Sequence, residues 1–256
     1  MRTYYREVNN EVDVFTKCFE QRLPLLIKGP TGCGKSQLIA YMAEKLDRPL
    51  IKVSCNEDTS SADLLGRFLI KGSDTVWQDG PVTRAVREGG ILYLDEVAEA
   101  REDVIVALHP LTDHRRELYI DRTNEELIAP PGFMCVASFN PGYQRGFKEL
   151  KPSTRQRFVT ISLSYPEPMV ESEILNKVTE VDLKTCQRLV EVAHKIRAQR
   201  HLELKETVST RLLVHTAQLH KAGLTLRQAS YYGIAQCLSD DEQVIEGLRD
   251  LINLSL

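Results

Sequence analysis

Gly29-Pro30-Thr31-Gly32-Cys33-Gly34-Lys35-Ser36 reads G-x-x-x-x-G-K-S, the spacing of a phosphate-binding loop. Leu25, Leu26 and Ile27 form a short buried-strand run just before it. Gln37 to Leu46 follows with Leu38, Ile39, Met42, Ala43 and Leu46 at helical spacing. A strand, a glycine-rich turn and a helix N-terminus aim backbone N–H groups and a positive dipole at one point. The glycines let the backbone approach a triphosphate closely. In this reading residues Gly29, Pro30, Thr31, Gly32, Cys33, Gly34, Lys35 and Ser36 all line the nucleotide. Lys35 reaches the β and γ phosphates, and the Ser36 hydroxyl ligates Mg²⁺.

The second landmark is Gly89-Gly90-Ile91-Leu92-Tyr93-Leu94-Asp95-Glu96. An apolar run ending in two acids is the pattern of a central parallel strand. Catalytic groups of open α/β sheets gather at the carboxyl ends of strands. Asp95 is therefore the candidate to hold Mg²⁺ through its water shell, and Glu96 the candidate to polarise an attacking water. Phe133-Met134-Cys135-Val136-Ala137-Ser138 reads as another strand. It ends in Phe139-Asn140-Pro141, so Asn140 is either a γ-phosphate or water contact or an ordinary turn asparagine. Arg155 and Arg157, just before the strand Val159 to Leu163, are arginine-finger candidates or plain surface cations.

Between these landmarks the chain alternates helices and strands. Glu11 to Glu20 is a helix with Val12, Phe15 and Phe19 on one face. Leu50 to Ser54 is a strand. Ser60 and Ser61 cap a short helical start that Gly66 ends. Phe68-Leu69-Ile70 and Thr75-Val76-Trp77 flank a polar turn and form an inserted hairpin. Pro81 opens a helix that Gly89-Gly90 ends, and Glu102 to Thr112 reads as one helix. Leu118 to Ile120 and Leu127-Ile128 form a second inserted hairpin.

The pattern changes at Tyr165-Pro166-Glu167-Pro168, where two prolines interrupt regular structure. Everything after it reads helical: Met169 to Thr179, Asp182 to Gln199, Ser209 to Ala222, Thr225 to Leu238 and Asp240 to Leu254. Residues 1–165 are thus read as an α/β nucleotide-binding domain and 166–256 as a separate all-helical domain. Arg211 lies in the first turn of one helix, where its charge opposes the dipole. That invites a functional reason, against a surface arginine.

The 256 residues carry a net charge of −3 and no basic patch, which argues against a nucleic-acid partner. No apolar run approaches bilayer length and the first residues show no signal-peptide core. The expectation is a cytoplasmic protein without membrane insertion. The six cysteines include no C-x-x-C pair, and the six histidines no H-E-x-x-H pattern, so no metal centre is expected from either.

The ordered set Gly29 to Ser36, Asp95-Glu96, Asn140, Arg155/Arg157 and Arg211 resembles the AAA+ ATPases over nearly the whole chain. The resemblance implies an α/β fold: an αβα module with a five-stranded parallel sheet, followed by a small helical lid. It assigns these positions as Walker A, Walker B, sensor 1, arginine finger and sensor 2. The two hairpins are similar to the inserts of the MoxR branch. Closer still, Lys28 to Ser36, Cys55-Asn56-Glu57-Asp58, Trp77 to Pro81, His109 to Arg116 and Asn140-Pro141-Gly142-Tyr143-Gln144 resemble the CbbQ/NirQ/NorQ group. Arg155 stands where that pattern has a lysine, which favours Arg157 as the finger.

The resemblance implies ATP and Mg²⁺ as cofactors, a homo-hexameric ring, and an adaptor with a von Willebrand A domain of the CbbO/NorD type. It implies remodelling of rubisco, as the ATPase of an activase that frees inhibitory sugar phosphates, or maturation of nitric oxide reductase; the rubisco reading is the leading expectation. Two alternatives stay open. One is a nucleic-acid motor of the same fold, disfavoured by the acidic pI of about 6.1 and the non-basic hairpins. The other is a chelatase-type metal-insertion subunit.

Overall fold

The structure is a computed structural model that describes residues 3–141, 150–199, 204 and 206–256. Gly142, Tyr143 and Gln144 of the group's pattern, and His201, lie outside these residues. The chain divides into two compact units. The first joins Met1–Gly29 to Lys35–Ser162. The second joins Pro30–Gly34 to Leu163–Leu256, so the tip of the glycine-rich loop clusters with the helical half.

In the first unit, helix α1 (Glu11–Glu20) precedes strand β1 (Leu25–Lys28), and helix α2 (Lys35–Lys45) precedes β2 (Leu50–Ser54). A short α3 (Ser61–Leu65) begins at Ser60, whose hydroxyl accepts from the Asp63 N–H while the Asp63 carboxylate accepts from the Ser60 N–H. This reciprocal cap starts a helix of five residues, whose Leu64 is buried in the core of the unit. The hairpin β3 (Gly66–Lys71) and β4 (Asp74–Asp79) follows, paired antiparallel from Gly66↔Asp79 to Lys71↔Asp74. Then come α4 (Pro81–Glu88), β5 (Ile91–Asp95) and α5 (Glu102–Ala107), followed by the second hairpin, β6 (Glu117–Ile120) with β7 (Glu125–Ile128). Strand β8 (Met134–Phe139), a single turn α6 (Pro152–Arg155) and β9 (Val159–Ser162) complete the unit.

Five of these strands form one parallel sheet in the order β2-β5-β8-β1-β9. All six residues of central β8 are buried, as a strand covered on both faces requires. The register pairs Ser54 with Asp95, Leu94 with Ala137 and Lys28 with Phe139. It brings the carboxyl ends of β1, β5 and β8 to one rim of the sheet. The segments leaving that rim carry Gly29, Glu96 and Asn140.

The expected helix from Glu102 to Thr112 is shorter. It stops at Ala107 and gives way to a 3₁₀ turn, His109–Leu111. Pro110 explains the break: it has no N–H to donate and its ring collides with the preceding turn.

The second unit holds α7 (Pro168–Thr179), α8 (Leu183–Ala198), α9 (Thr210–Lys221), α10 (Leu226–Ser230), α11 (Gln236–Leu238) and α12 (Glu242–Ser255). Asp182, Ser209, Thr225 and Asp241 cap four of them through their side chains. Leu189, Val192, Ala193 and Ile196 of α8, at helical spacing, form one buried stripe. They pack with Leu175, Leu213, Ala217, Ile234 and Leu248. The expected single helix from Thr225 to Leu238 instead contains a π-helical turn, Tyr231–Ala235. It lies where Gly233 meets α9 so closely that a Cβ would fall 2.3 Å from Thr216 Oγ1. Such widened turns occur where packing displaces the regular ladder. Among the described residues no helix is long and apolar enough to cross a membrane.

Candidate nucleotide site

Lys35 opens α2 and is buried, although lysine is seldom found inside a protein. Its ammonium donates to the Gly29 carbonyl at 2.8 Å and to Asn140 Oδ1. The amide of Asn140 in turn donates to Glu96 Oε1 at 3.1 Å. One line of hydrogen bonds therefore runs from the base of the loop, across the tip of β8, to the residue after β5. An ammonium held there can meet phosphate oxygens, and a carboxylate at the other end can accept a proton from water.

Below this line lies a second cluster that the sequence reading missed. The Tyr93 hydroxyl donates to Asp95 Oδ1 at 2.6 Å and stands 3.1 Å from Ser36 Oγ and 3.0 Å from Ser138 Oγ. Ser138 also donates to Asp95 Oδ1 at 2.9 Å, and Lys52 pairs with Asp95 Oδ2 at 3.0 Å. The Lys52 ammonium lies 5.3 Å from the centre of the Tyr93 ring. Signals for all three were present. Tyr93 and Asp95 are two apart on one strand, hence on one face. Ser138 is a polar residue in an apolar strand, and Lys52 pairs with Tyr93 in the sheet register. Ser36 and Asp95 are linked through one tyrosine hydroxyl. A hydroxyl and a carboxylate beside a phosphate-binding loop are the oxygen ligands Mg²⁺ takes, with water and phosphate completing its shell. These residues fit that ion.

The two acids are electrostatically unlike. Burial pushes the Asp95 carboxyl up, but the hydrogen bonds from Tyr93, Lys52 and Ser138 outweigh it, so its pKa falls below the ordinary range. Burial also pushes Glu96 up. The Lys35 charge opposes that, the Asp95 charge adds to it, and the net shift is upward. Adjacent carboxyls with divergent proton affinities suit a division between holding a cation and accepting a proton.

Among the described residues neither Arg155 nor Arg157 is hydrogen-bonded to this line. The Arg155 guanidinium lies 5.8 Å from the centre of the Phe139 ring. Arg157 donates to the Ser153 carbonyl at 2.6 Å, while its buried Nε has no hydrogen-bond partner among the described residues. His109 Nε2 lies 3.2 Å from Thr154 Oγ1, and burial together with the Arg157 charge holds its pKa below the usual histidine value.

In the second unit the loop tip, Pro30–Gly34, lies among helical residues. Gly32 has φ +67°, and a Cβ there would come within 2.8 Å of Ser209 Cβ and 3.1 Å of Arg211 Cβ. Cys33 is partly exposed. Arg211 is exposed in the first turn of α9, where an anion would offset its conflict with the helix dipole.

A parallel sheet of order β2-β5-β8-β1-β9, a glycine-rich loop into α2 and an acidic pair ending β5 define a P-loop ATPase of the AAA+ class. Residues 24–158 match the family described as AAA domain (dynein-related subfamily), and residues 171–255 match CbbQ/NirQ/NorQ C-terminal. The chain is 54% identical over 248 residues to Protein NorQ of Paracoccus denitrificans, covering 97% of this chain and 92% of that one. It is 49% identical to the denitrification regulatory protein NirQ of Stutzerimonas stutzeri, covering 97% and 90%. Protein CbbQ of Hydrogenophilus thermoluteolus is 48% identical, with 96% and 92% covered. A crystal structure of a candidate ATPase from Cytophaga hutchinsonii shares the fold at TM-score 0.56 and 16% identity, over 97% of this chain and 89% of that one. The chain belongs to the CbbQ/NirQ/NorQ family of MoxR-type AAA ATPases.

Proposed function

We propose that this ATPase is the motor of a protein-remodelling machine, with residues 1–165 as nucleotide domain and 166–256 as lid. The observation that carries the catalytic part is the Lys35–Asn140–Glu96 line. Lys35 holds the β and γ phosphates against the loop from Gly29 to Ser36. Asn140 keeps Glu96 aimed at the attacking water, and Glu96 accepts its proton. Ser36, and Asp95 through the water shell, would hold Mg²⁺, and the ion would supply charge stabilisation to the phosphates. Arg211 senses the γ-phosphate from the lid. Arg157, with Arg155 as the weaker candidate, acts as a finger on a neighbouring subunit of a hexameric ring. A finger in trans contributes roughly 10³–10⁵ in rate, so hydrolysis depends on assembly.

Remodelling is supported by the two hairpins, which nucleotide chemistry does not need. They expose Phe68, Ile70 and Val76 on one and Tyr119 and Ile128 on the other. The proposed partner is a von Willebrand A adaptor in the cytoplasm. Of the two targets implied by the family, nitric oxide reductase takes first place, because NorQ at 54% and NirQ at 49% favour it. Rubisco activation is the second reading, favoured by CbbQ at 48%. The test adds ATP, the cognate adaptor and this protein to each target. Nitric oxide reduction gained in their presence, and absent with Glu96→Gln, supports the first reading. Recovery of carboxylation from sugar-phosphate-inhibited rubisco supports the second. Failure of both removes the target assignment.

A further inference from the structure

The second unit contains a closed circuit of contacts that begins and ends on the loop tip. The Tyr165 hydroxyl donates to the Thr31 carbonyl at 2.9 Å. The Arg197 guanidinium stacks on the Tyr165 ring at 4.2 Å from its centre. All three guanidinium nitrogens are engaged: Nε on the Val208 carbonyl at 2.8 Å, and the two terminal nitrogens on Glu171 Oε2 and Oε1 at 2.7 and 2.8 Å. Glu171 is fully buried, and its Oε1 also accepts from Thr210 Oγ1 at 2.6 Å. Thr210 is the first residue of α9, between the cap Ser209 and Arg211. Ser209 and Arg211 close the circuit by packing against Gly32. Beside it, Thr31 Oγ1 donates to Glu206 Oε1 at 2.9 Å.

An apolar core could hold these helices together without directional contacts. A buried carboxylate held in a bidentate arginine fork fixes direction instead, because a lost bond leaves the buried Glu171 charge short of a partner. Burial raises the Tyr165 hydroxyl pKa to about 12, so at neutral pH it stays protonated and keeps its donor. The circuit therefore joins two backbone segments, the loop at Thr31 and the first turn of α9.

We propose that Tyr165 is a positioning residue of the nucleotide site. Through Arg197, Glu171 and Thr210 it ties the loop tip to the start of α9 and sets where Arg211 stands relative to the loop. The inference rests on the reading that Arg211 faces bound phosphate. A site already in its bound geometry loses less freedom on binding, so loosening the circuit weakens affinity without removing a phosphate contact.

The test measures the affinity of full-length protein for a fluorescent (mant) ATP analogue with Mg²⁺, with melting curves taken without nucleotide. Tyr165→Phe keeps the ring under Arg197 and removes only the donor. It should weaken binding about fivefold, the scale of one net hydrogen bond. Thr210→Val should do the same and Thr210→Ser should not. Arg211→Ala should cost less in the Tyr165→Phe background than in the wild type, because the two act as a unit. Full additivity, or Tyr165→Phe binding within about twofold of wild type, overturns the inference. An Arg211→Ala protein with unchanged affinity overturns the site reading first, and this inference with it. If Tyr165→Phe melts below the assay temperature, the contrast between Thr210→Val and Thr210→Ser decides.

Discussion

Asn140→Asp replaces one amide nitrogen by oxygen and changes almost nothing in volume, yet it reverses one of the two bonds in the Lys35–Asn140–Glu96 line. The amide now donates to Glu96 Oε1 at 3.1 Å. A carboxylate in its place would set two negative oxygens at that separation. At an effective dielectric of about 20 the repulsion is about 5 kcal/mol, an upper limit because Glu96 is only partly buried. Lys35 offsets part of it on the other side. The remainder is relieved by turning Glu96 away from Asn140, which removes it from the water it is proposed to activate. Loss of one positioned polar group in such sites costs about 10²–10³ in kcat. The mutant should therefore lose kcat on that scale, while its affinity for ATP, measured by fluorescence, changes little. Steady-state ATPase assays and a binding titration on the same preparation separate the two. A kcat within about threefold of wild type, or a loss carried entirely by weakened binding, refutes the reasoning.

Four further outcomes are expected. Lys35→Ala should abolish hydrolysis with an unchanged circular dichroism spectrum; a folded mutant that turns over near the wild-type rate refutes the loop assignment. Glu96→Gln should bind ATP but hydrolyse it at least about 10²-fold more slowly, because an amide cannot accept the proton; lost binding would make Glu96 structural or a metal ligand. Mixing Arg157→Ala with Lys35→Ala should restore partial ATPase activity in mixed rings, and no recovery despite proven subunit exchange removes the trans finger. Arg197→Ala should destabilise the helical unit by about 3–5 kcal/mol by stranding the buried Glu171 carboxylate, read as a lower Tm.

The features legible in the sequence are those set by local chemistry. Strands β1, β2, β5 and β8 and the capped starts of α3, α8, α9 and α10 follow from apolar runs and side-chain caps a few residues apart. The features that were not legible depend on residues far apart in sequence. The π turn at Tyr231–Ala235 answers to Thr216 on another helix. Tyr93 and Ser138 look like strand filler until the parallel pairing of β5 with β8, Tyr93 opposite Val136, brings their hydroxyls to 3.0 Å. Pro110 is itself a local signal, and it breaks the expected Glu102 to Thr112 helix after Ala107. The loop tip clusters with the helical unit, where Tyr165 and Glu206 hydrogen-bond to Thr31, and no periodicity encodes those contacts.

The acidic pair shows how a strand end separates two identical functional groups. Had β5 continued, Glu96 would face away from Asp95 across the sheet. Instead Glu96 takes φ 54° and ψ 49°, the left-handed region, and the chain turns into Val97–Glu99. Such a conformation costs a non-glycine residue about 1–3 kcal/mol and persists only where surroundings hold it. Here the Glu96 N–H approaches Ser138 Oγ at 3.4 Å, and Val97 and Ala98 are buried directly after it. The turn leaves Asp95 among Tyr93, Ser138 and Lys52, whose hydrogen bonds favour its charged form, and carries Glu96 up to Asn140. Two neighbouring carboxyls thus acquire opposite pKa shifts from one backbone reversal, and Ser138 supports both sides of it.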